Sequence, residues 1–314
     1  MNSVIMNYTE NGLNMLTVRT YPQKGPAWID KNLRGNEDID SLCRLLETHE
    51  YEFMKKRDKI ECAINQLNDS IDGLVAIGDP YFPQFRGNAK SADKPFAIFY
   101  KGDISLLDKS NLNIAVIGVL NPDEKIELTE RIVTSAIIGY GATIVSGLAL
   151  GCDTIAHKTA LEKSAKTIAI LPSPLNGILP KENTDLAETI VDSGGLLISE
   201  YYDAPKSKND MISRFVVRDR LQALFSDAVL LSASYAPNNQ GNDCGSRHAM
   251  EKAKAYGIKR GVIYNETKHR NNPMYDLNRQ ILLDDRTVIR IDSGNMQESI
   301  QRLVSRPTEQ YLFQ

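Results

Sequence analysis

The sequence predicts a doubly wound α/β fold with a mainly parallel sheet, preceded by an N-terminal helical or mixed appendage. Three observations predict it. Beyond residue 110, apolar runs of strand length recur between amphipathic stretches of helix length. Most of these runs are continuous rather than alternating, which marks strands buried on both faces. Strand–helix–strand alternation then closes through right-handed crossovers into a parallel sheet covered by helices on both sides.

Residues 1–72 read as the N-terminal region and 73–314 as the α/β domain, whose regular rhythm sets in near 110. Within 37–68, apolar residues at Ile39, Leu42, Leu45, Leu46, Tyr51, Phe53, Met54, Ile60 and Ile64 follow helical spacing and predict two helices. Residues 73–102 are richer in Pro, Gly and aromatics, with a strand at 95–102. Strands are then expected at 113–118, 142–146, 167–171, 195–199, 228–233, 260–264 and 287–291. Helices are expected at 122–138, 152–164, 182–193, 212–225 and 246–257. No internal repeat or low-complexity segment interrupts the pattern.

Composition excludes several function classes. Of 314 residues, 42% are hydrophobic and 25% charged, enough apolar material for a large core. The net charge of −3 leaves no global basic field, so a nucleic-acid site would have to be a local patch. No run approaches a membrane span, and residues 1–12 show neither the basic nor the apolar region of a signal peptide. A cytoplasmic protein is expected. Cys43, Cys62, Cys152 and Cys244 are scattered, which reads as free thiols rather than a disulfide framework or zinc site.

Ligands of such sheets bind at the C-terminal ends of the strands. Three turns rich in small residues fall there: Gly118 after the first strand, Ser146-Gly147 through Gly151 after the second, and the 171–183 segment with Ser173 after the third. Any one of them reads as tight strand–helix packing. Together they read as a composite pocket, since glycine lets a phosphate approach a helix N-terminus. Neither a G-x-G-x-x-G fingerprint nor a Walker lysine is present. Asp153 and His157 share a helix face at i,i+4. A general acid/base pair is one reading; the reading adopted is structural, with Asp153 capping its helix and His157 packed in the sheet. Ser146 is not in a G-x-S-x-G elbow, and Cys152 reads as a small buried residue. Basic residues gather at Arg214, Arg218 and Arg220, where guanidinium forks suit phosphate oxygens. Lys206, Lys208, Tyr201 and Tyr202 just before them interleave charge with aromatics, a pattern suited to single-stranded nucleic acid.

The ordered set "YFPQFRGNAKSADKPFAIFYKGDISLL" (81–107), "IAVIG" (114–118), "VSGLALGCDTIAH" (145–157), "KTIAILPSPLNGILPKEN" (166–183), "GLLISE" (195–200) and "RFVVRDR" (214–220) resembles the DprA/Smf DNA-processing family across about residues 75–305. The resemblance implies an extended Rossmann-like domain that binds single-stranded DNA without catalysis or cofactor, forms a homodimer and loads a RecA-type recombinase. It implies a phosphate-binding set of Gly118, Ser146, Gly147, Gly151, Lys166, Ser173, Arg214, Arg218 and Arg220, with no metal.

The departures are specific. The family pattern has Gly-Ser-Arg where this chain has Gly118-Val119-Leu120, an arginine where it has Leu150, and Gly-Ser-Gly where it has Pro172-Ser173-Pro174. Asp219 stands where Asn is usual, and the family's winged-helix extension is not expected after residue 304. Two cationic contacts are thus absent. That leaves two alternatives to DNA loading: a partner of a phosphoribosyltransferase-like toxin in a phage-defence toxin–antitoxin module, and a small-nucleotide sensor or enzyme.

Overall fold

The computed structural model describes residues 8–238 and 245–306. Cys244 and residues 1–7, part of the N-terminal stretch read above as carrying no signal peptide, lie outside the described residues. The chain opens with four helices, α1 (Glu10–Arg19), α2 (Pro26–Asn32), α3 (Ile39–Leu46) and α4 (Glu50–Asn65). The strands β1 (Gly73–Ala76) and β2 (Ala97–Gly102) follow. The α/β succession is then β3 (Asn113–Ile117), α5 (Glu124–Ile138), β4 (Thr143–Ser146), α6 (Cys152–Glu162), β5 (Thr167–Leu171), α7 (Thr184–Asp192), β6 (Leu196–Ser199), α8 (Lys208–Leu224), β7 (Ala228–Leu231), α9 (Ser246–Tyr256) and β8 (Lys259–Ile263). It closes with α10 (Glu266–His269), α11 (Asp276–Asp284), β9 (Ile289–Ile291) and α12 (Met296–Val304).

The nine strands of the described residues join one sheet in the order β1-β2-β6-β5-β4-β3-β7-β8-β9. From β6 to β9 every pairing is parallel, while β1 and β2 add an antiparallel edge. This is the mainly parallel, doubly wound architecture read from the sequence. The chain winds outwards from β3 in both directions, so β3 has β4 on one side and β7 on the other. The crevice between the loops after β3 and β7 is the place such sheets offer a ligand.

The continuous apolar runs explain the layering. Every residue of β3, β4, β5, β6 and β7 is buried, as both faces are covered. Helix starts are set by local chemistry. Asp123 accepts from Ile126 N at 2.8 Å to cap α5, and Ser207 accepts from Asp210 N at 3.1 Å to cap α8. The Ser207 cap starts α8 four residues before the expected 212, because the apolar periodicity begins only after the first polar turn.

Residues 10–65 are not separated from the sheet by a core of their own. Leu13, Leu16, Phe53, Ile60 and Ile64 share one hydrophobic cluster with Leu74, Phe99, Ala169, Leu171 and Leu197. Arg57 of α4 binds Asn14 Oδ1 at 3.0 Å and pairs with Glu10, tying α4 to α1. Helices α1, α2, α10, α11 and α12 and strand β1 escaped the periodicity reading. Most are short, and α1 carries polar residues among its buried ones.

Candidate functional site

The turn between β4 and α6 shapes one wall of the crevice. Ser146 Oγ donates to Val116 O at 2.7 Å, pinning the end of β4 to β3. Leu148 is left-handed, with φ 59°, and Gly151 has φ 75°. A Cβ on Gly151 would lie 2.3 Å from Val119 O and 2.4 Å from Leu120 O, so only glycine fits. The turn therefore lies directly against the loop after β3. Asp153 folds back into it, accepting from Gly147 N at 3.1 Å and Ala149 N at 3.3 Å. This corrects the expected cap: Gly151 holds the N-cap position of α6 without a side-chain bond, and Asp153 stabilises the turn instead.

Between this turn, the β3 loop, α8 and the start of α9 lies a cleft of about 480 Å³, with Gly118, Leu120, Asp153, Arg218, Asp219 and Gln222 among its lining. Arg218 forms its floor, only 4% exposed. Its Nε stands 3.3 Å from Asp219 Oδ1 and its Nη1 4.0 Å from Asp153 Oδ2. Gln222, one turn on, places its amide oxygen 3.1 Å from Gly147 N and 3.2 Å from Arg218 Nη1. One guanidinium thus lies among two carboxylates and an amide. Burial raises the Asp153 carboxyl above its usual value although Arg218 opposes the shift. Burial likewise raises Asp219 to about 7, again against the pull of Arg218.

The structure brings some of the sequence-predicted residues together and scatters others. Gly118 lies in the cleft, with its carbonyl accepting from Ser246 Oγ at 3.1 Å. Ser146, Gly147 and Gly151 lie at the adjoining strand end. Ser173 is at the end of β5, where its carbonyl accepts from Ser199 Oγ at 2.7 Å, but it lines a separate cavity with Pro174 and Tyr202. Lys166 precedes β5, so it sits at the opposite end of the sheet and donates to Ser193 O at 2.7 Å. It cannot share a site with Gly118.

Two arginines of the predicted clamp are spent inside the protein. Arg220 makes a bidentate pair with Glu200, both bonds 2.7 Å, and donates to Asp93 O at 2.7 Å. Arg214 donates to Asp203 O at 2.6 Å, pairs with Asp210 at 3.1 Å and lies over the Tyr201 ring at 4.2 Å. Neither lines the cleft. The Tyr201 face expected for base stacking is thus covered by Arg214, and Tyr202 packs toward Phe99 at 6.1 Å. Lys206 and Lys208 are exposed.

His157 has the structural role expected of it. Thr167 Oγ1 donates to Ile144 O at 2.9 Å, so it accepts from His157 Nδ1 at 2.7 Å, which fixes the proton on Nδ1. Full burial lowers the imidazole to about 3, keeping it neutral. Glu130 was not singled out in the sequence. It is fully buried beside Cys152 and Ser232, and burial raises its carboxyl to about 8. Gln222, Ser246 and His248 were also missed as cleft residues; only Gln222 carried a signal, standing i+4 from Arg218. Among the described residues, no three His, Cys, Asp or Glu side chains come together to hold a metal ion. No helix among them is long and apolar enough to cross a membrane.

Residues 73–284 match the family model for DNA recombination-mediator protein A. Protein Smf of Borreliella burgdorferi is 33% identical over 149 residues, covering 48% of this chain and 45% of the relative. Protein Smf of Escherichia coli is 29% identical over 209 residues, covering 67% and 54%. The chain spans about half the length of these curated relatives. Among solved structures, DNA processing protein A of Streptococcus pneumoniae superimposes with a TM-score of 0.68 at 20% identity, covering 94% of each chain, and shows the shared fold. DNA processing protein A of Helicobacter pylori, described in terms of its single-stranded DNA binding mode, gives a TM-score of 0.54 at 30% identity, covering 67% of this chain and 87% of that one.

Proposed function

The chain belongs to the DNA recombination-mediator protein A family, and from that membership we propose that it binds single-stranded DNA at the strand-end cleft and serves DNA processing without catalysis of its own. The observation that carries this reading is the cleft at the β3–β7 crevice with Arg218 as its floor. A phosphodiester fits such a place, where glycine backbone, a helix start and a guanidinium meet. The apolar side chains of Ile212, Phe215 and Val216 along the wall offer surfaces for bases. Recombinase loading by a homodimer is the downstream role this reading implies.

The test is a mobility-shift comparison of single-stranded DNA, duplex DNA and free nucleotides at two salt concentrations. Single strands are expected to bind in preference, with a shallow salt dependence of about −0.7 in log–log slope per phosphate contacted. An absence of single-strand binding at low salt overturns the reading.

One observation favours a second reading. Leu120 is 48% exposed, Leu150 40% and Ile212 53%, so apolar side chains rim the cleft where the family pattern has two arginines. Exposed apolar groups on a charge-poor rim suit a protein surface. On this reading the chain is the partner of a second protein, such as a phosphoribosyltransferase-like toxin. Co-purification with the product of an adjacent gene, in place of DNA binding, would select it.

A further inference from the structure

The floor of the cleft carries one cation and two acids. Asp219 faces Arg218 on its own helix. Across from it on α6 stands Asp153, held by the turn amides of Gly147 and Ala149. From α9 come His248, which lines the same cleft with Nδ1 3.9 Å from Glu251, and Arg247, paired with Glu251 at 3.1 Å. Behind Asp153, on α5, lies Glu130, whose charge would act on Asp153. With both aspartates ionised, the charge of Arg218 is more than cancelled, and a phosphodiester arriving there meets net repulsion.

Asp219 is built to relieve that repulsion. Its Oδ1 faces Arg218, but its Oδ2 is buried and, among the described residues, accepts no hydrogen bond. Oδ2 lies against the α-carbon of Gly245, where a Cβ would come within 2.5 Å. A proton on Oδ2 breaks no hydrogen bond made by the described residues and leaves Arg218 with a single counter-charge. Asp153 is the less suitable acceptor, because Oδ2, the oxygen nearest Arg218, already takes two backbone N–H bonds.

We propose that Asp219 sets the anion affinity of this cleft, so that a phosphodiester group binds at Arg218 together with one proton taken up from solvent by Asp219. The inference rests on the DNA reading above and deepens it. It makes Asp219 a specificity-determining residue: the cleft discriminates against phosphate when Asp219 is ionised and admits it when the carboxyl is neutral. The position of its titration, near 7, puts the transition in an accessible range.

Fluorescence anisotropy with a labelled oligothymidylate, at constant ionic strength, tests this. For one linked proton the dissociation constant should rise about tenfold from about pH 6 to about pH 8. Asp219→Asn should abolish the dependence and bind at the higher pH about as tightly as the unaltered chain does at the lower. His248→Gln should leave the dependence in place. Calorimetry of the unaltered chain in two buffers of different ionisation enthalpy should report uptake of about one proton at the higher pH, and it decides the matter should Asp219→Asn fail to fold. Binding that is independent of pH, a slope that survives Asp219→Asn, or one that vanishes with His248→Gln overturns the inference and leaves the DNA reading standing. No binding by the unaltered chain at either pH removes the DNA reading and the inference with it.

Discussion

The guanidinium of Arg218 rests on the α-carbon of Gly147, so closely that a Cβ at position 147 would lie 1.2 Å from Nη1. The glycine is what lets the arginine lie flat on the floor of the cleft. Gly147→Ala should therefore expel Arg218 from between Asp153 and Asp219. The expected cost is about 1–3 kcal/mol in stability, typical of overpacking, read from the denaturant midpoint, with a parallel loss of single-strand affinity. An alanine variant with unchanged stability and binding would contradict this packing.

Arg220 and Arg218 should separate cleanly on mutation. Arg220→Ala leaves the half-buried Glu200 unpaired, which should cost about 3 kcal/mol, the low end for a broken buried pair. Its signature is lowered thermal stability, not a selective loss of DNA affinity in whatever remains folded. Arg218→Ala should weaken binding across sequences alike, because phosphate contacts do not read bases. Equal effects of the two variants on binding, with stability intact, would return Arg220 to the site.

Glu130 and His157 give stability opposite dependences on pH. In the folded chain the Glu130 carboxyl keeps its proton to about 8, against an ordinary value of 4.5. The folded state thus binds the extra proton between those values, and stability falls as pH rises through that window. Glu130 should contribute a decline of about 2 kcal/mol between about pH 5.5 and 7.5. The contribution of Asp219, raised to about 7, declines in the same window, and Glu130→Gln should remove only its own share. His157 is neutral in the fold down to about 3, against 6.5 ordinarily, so its contribution is lost as pH falls below 6.5. Chemical denaturation across pH 4–9 should show both limbs.

Leu150 stands exposed on the turn that abuts the β3 loop, so a cation there would face the approach to the cleft. Leu150→Arg should tighten single-strand binding and steepen the log–log salt slope by about 0.7, one phosphate's worth. A salt titration with unchanged slope would mean the strand does not pass this turn.

The sheet was legible because its strands announce themselves. "IAVIG" and "TIAIL" are unbroken apolar runs, and such runs are stable only when both faces are covered. The turn glycines at 118, 147 and 151 were legible for the same reason, since strand topology alone assigns them to one end. That logic also excludes Lys166, which precedes its strand. The fates of Arg214 and Arg220 were not legible. Their partners Asp203, Glu200 and the Asp93 carbonyl belong to other segments, and helical spacing reports which residues share a face but not what that face meets. The burial of Asp219 was not legible either; it comes from the start of α9 packing over α8.

The antiparallel edge has a consequence for how the chain is made. Phe99 of β2 pairs with Ser199 of β6, and no other strand lies between them in the sheet. At a synthesis rate of about 5–20 residues per second, β2 leaves the ribosome roughly 5–20 s before its partner. Through that interval Phe99, Tyr100, Lys101 and Gly102 offer an open hydrogen-bonding edge, the kind that recruits other nascent strands. β1, already synthesised, can close the other edge, and α1 to α4 can cover one face. Yield should therefore fall the longer β2 waits, and pausing the ribosome between residues 102 and 196 should lengthen that exposure and lower the soluble fraction.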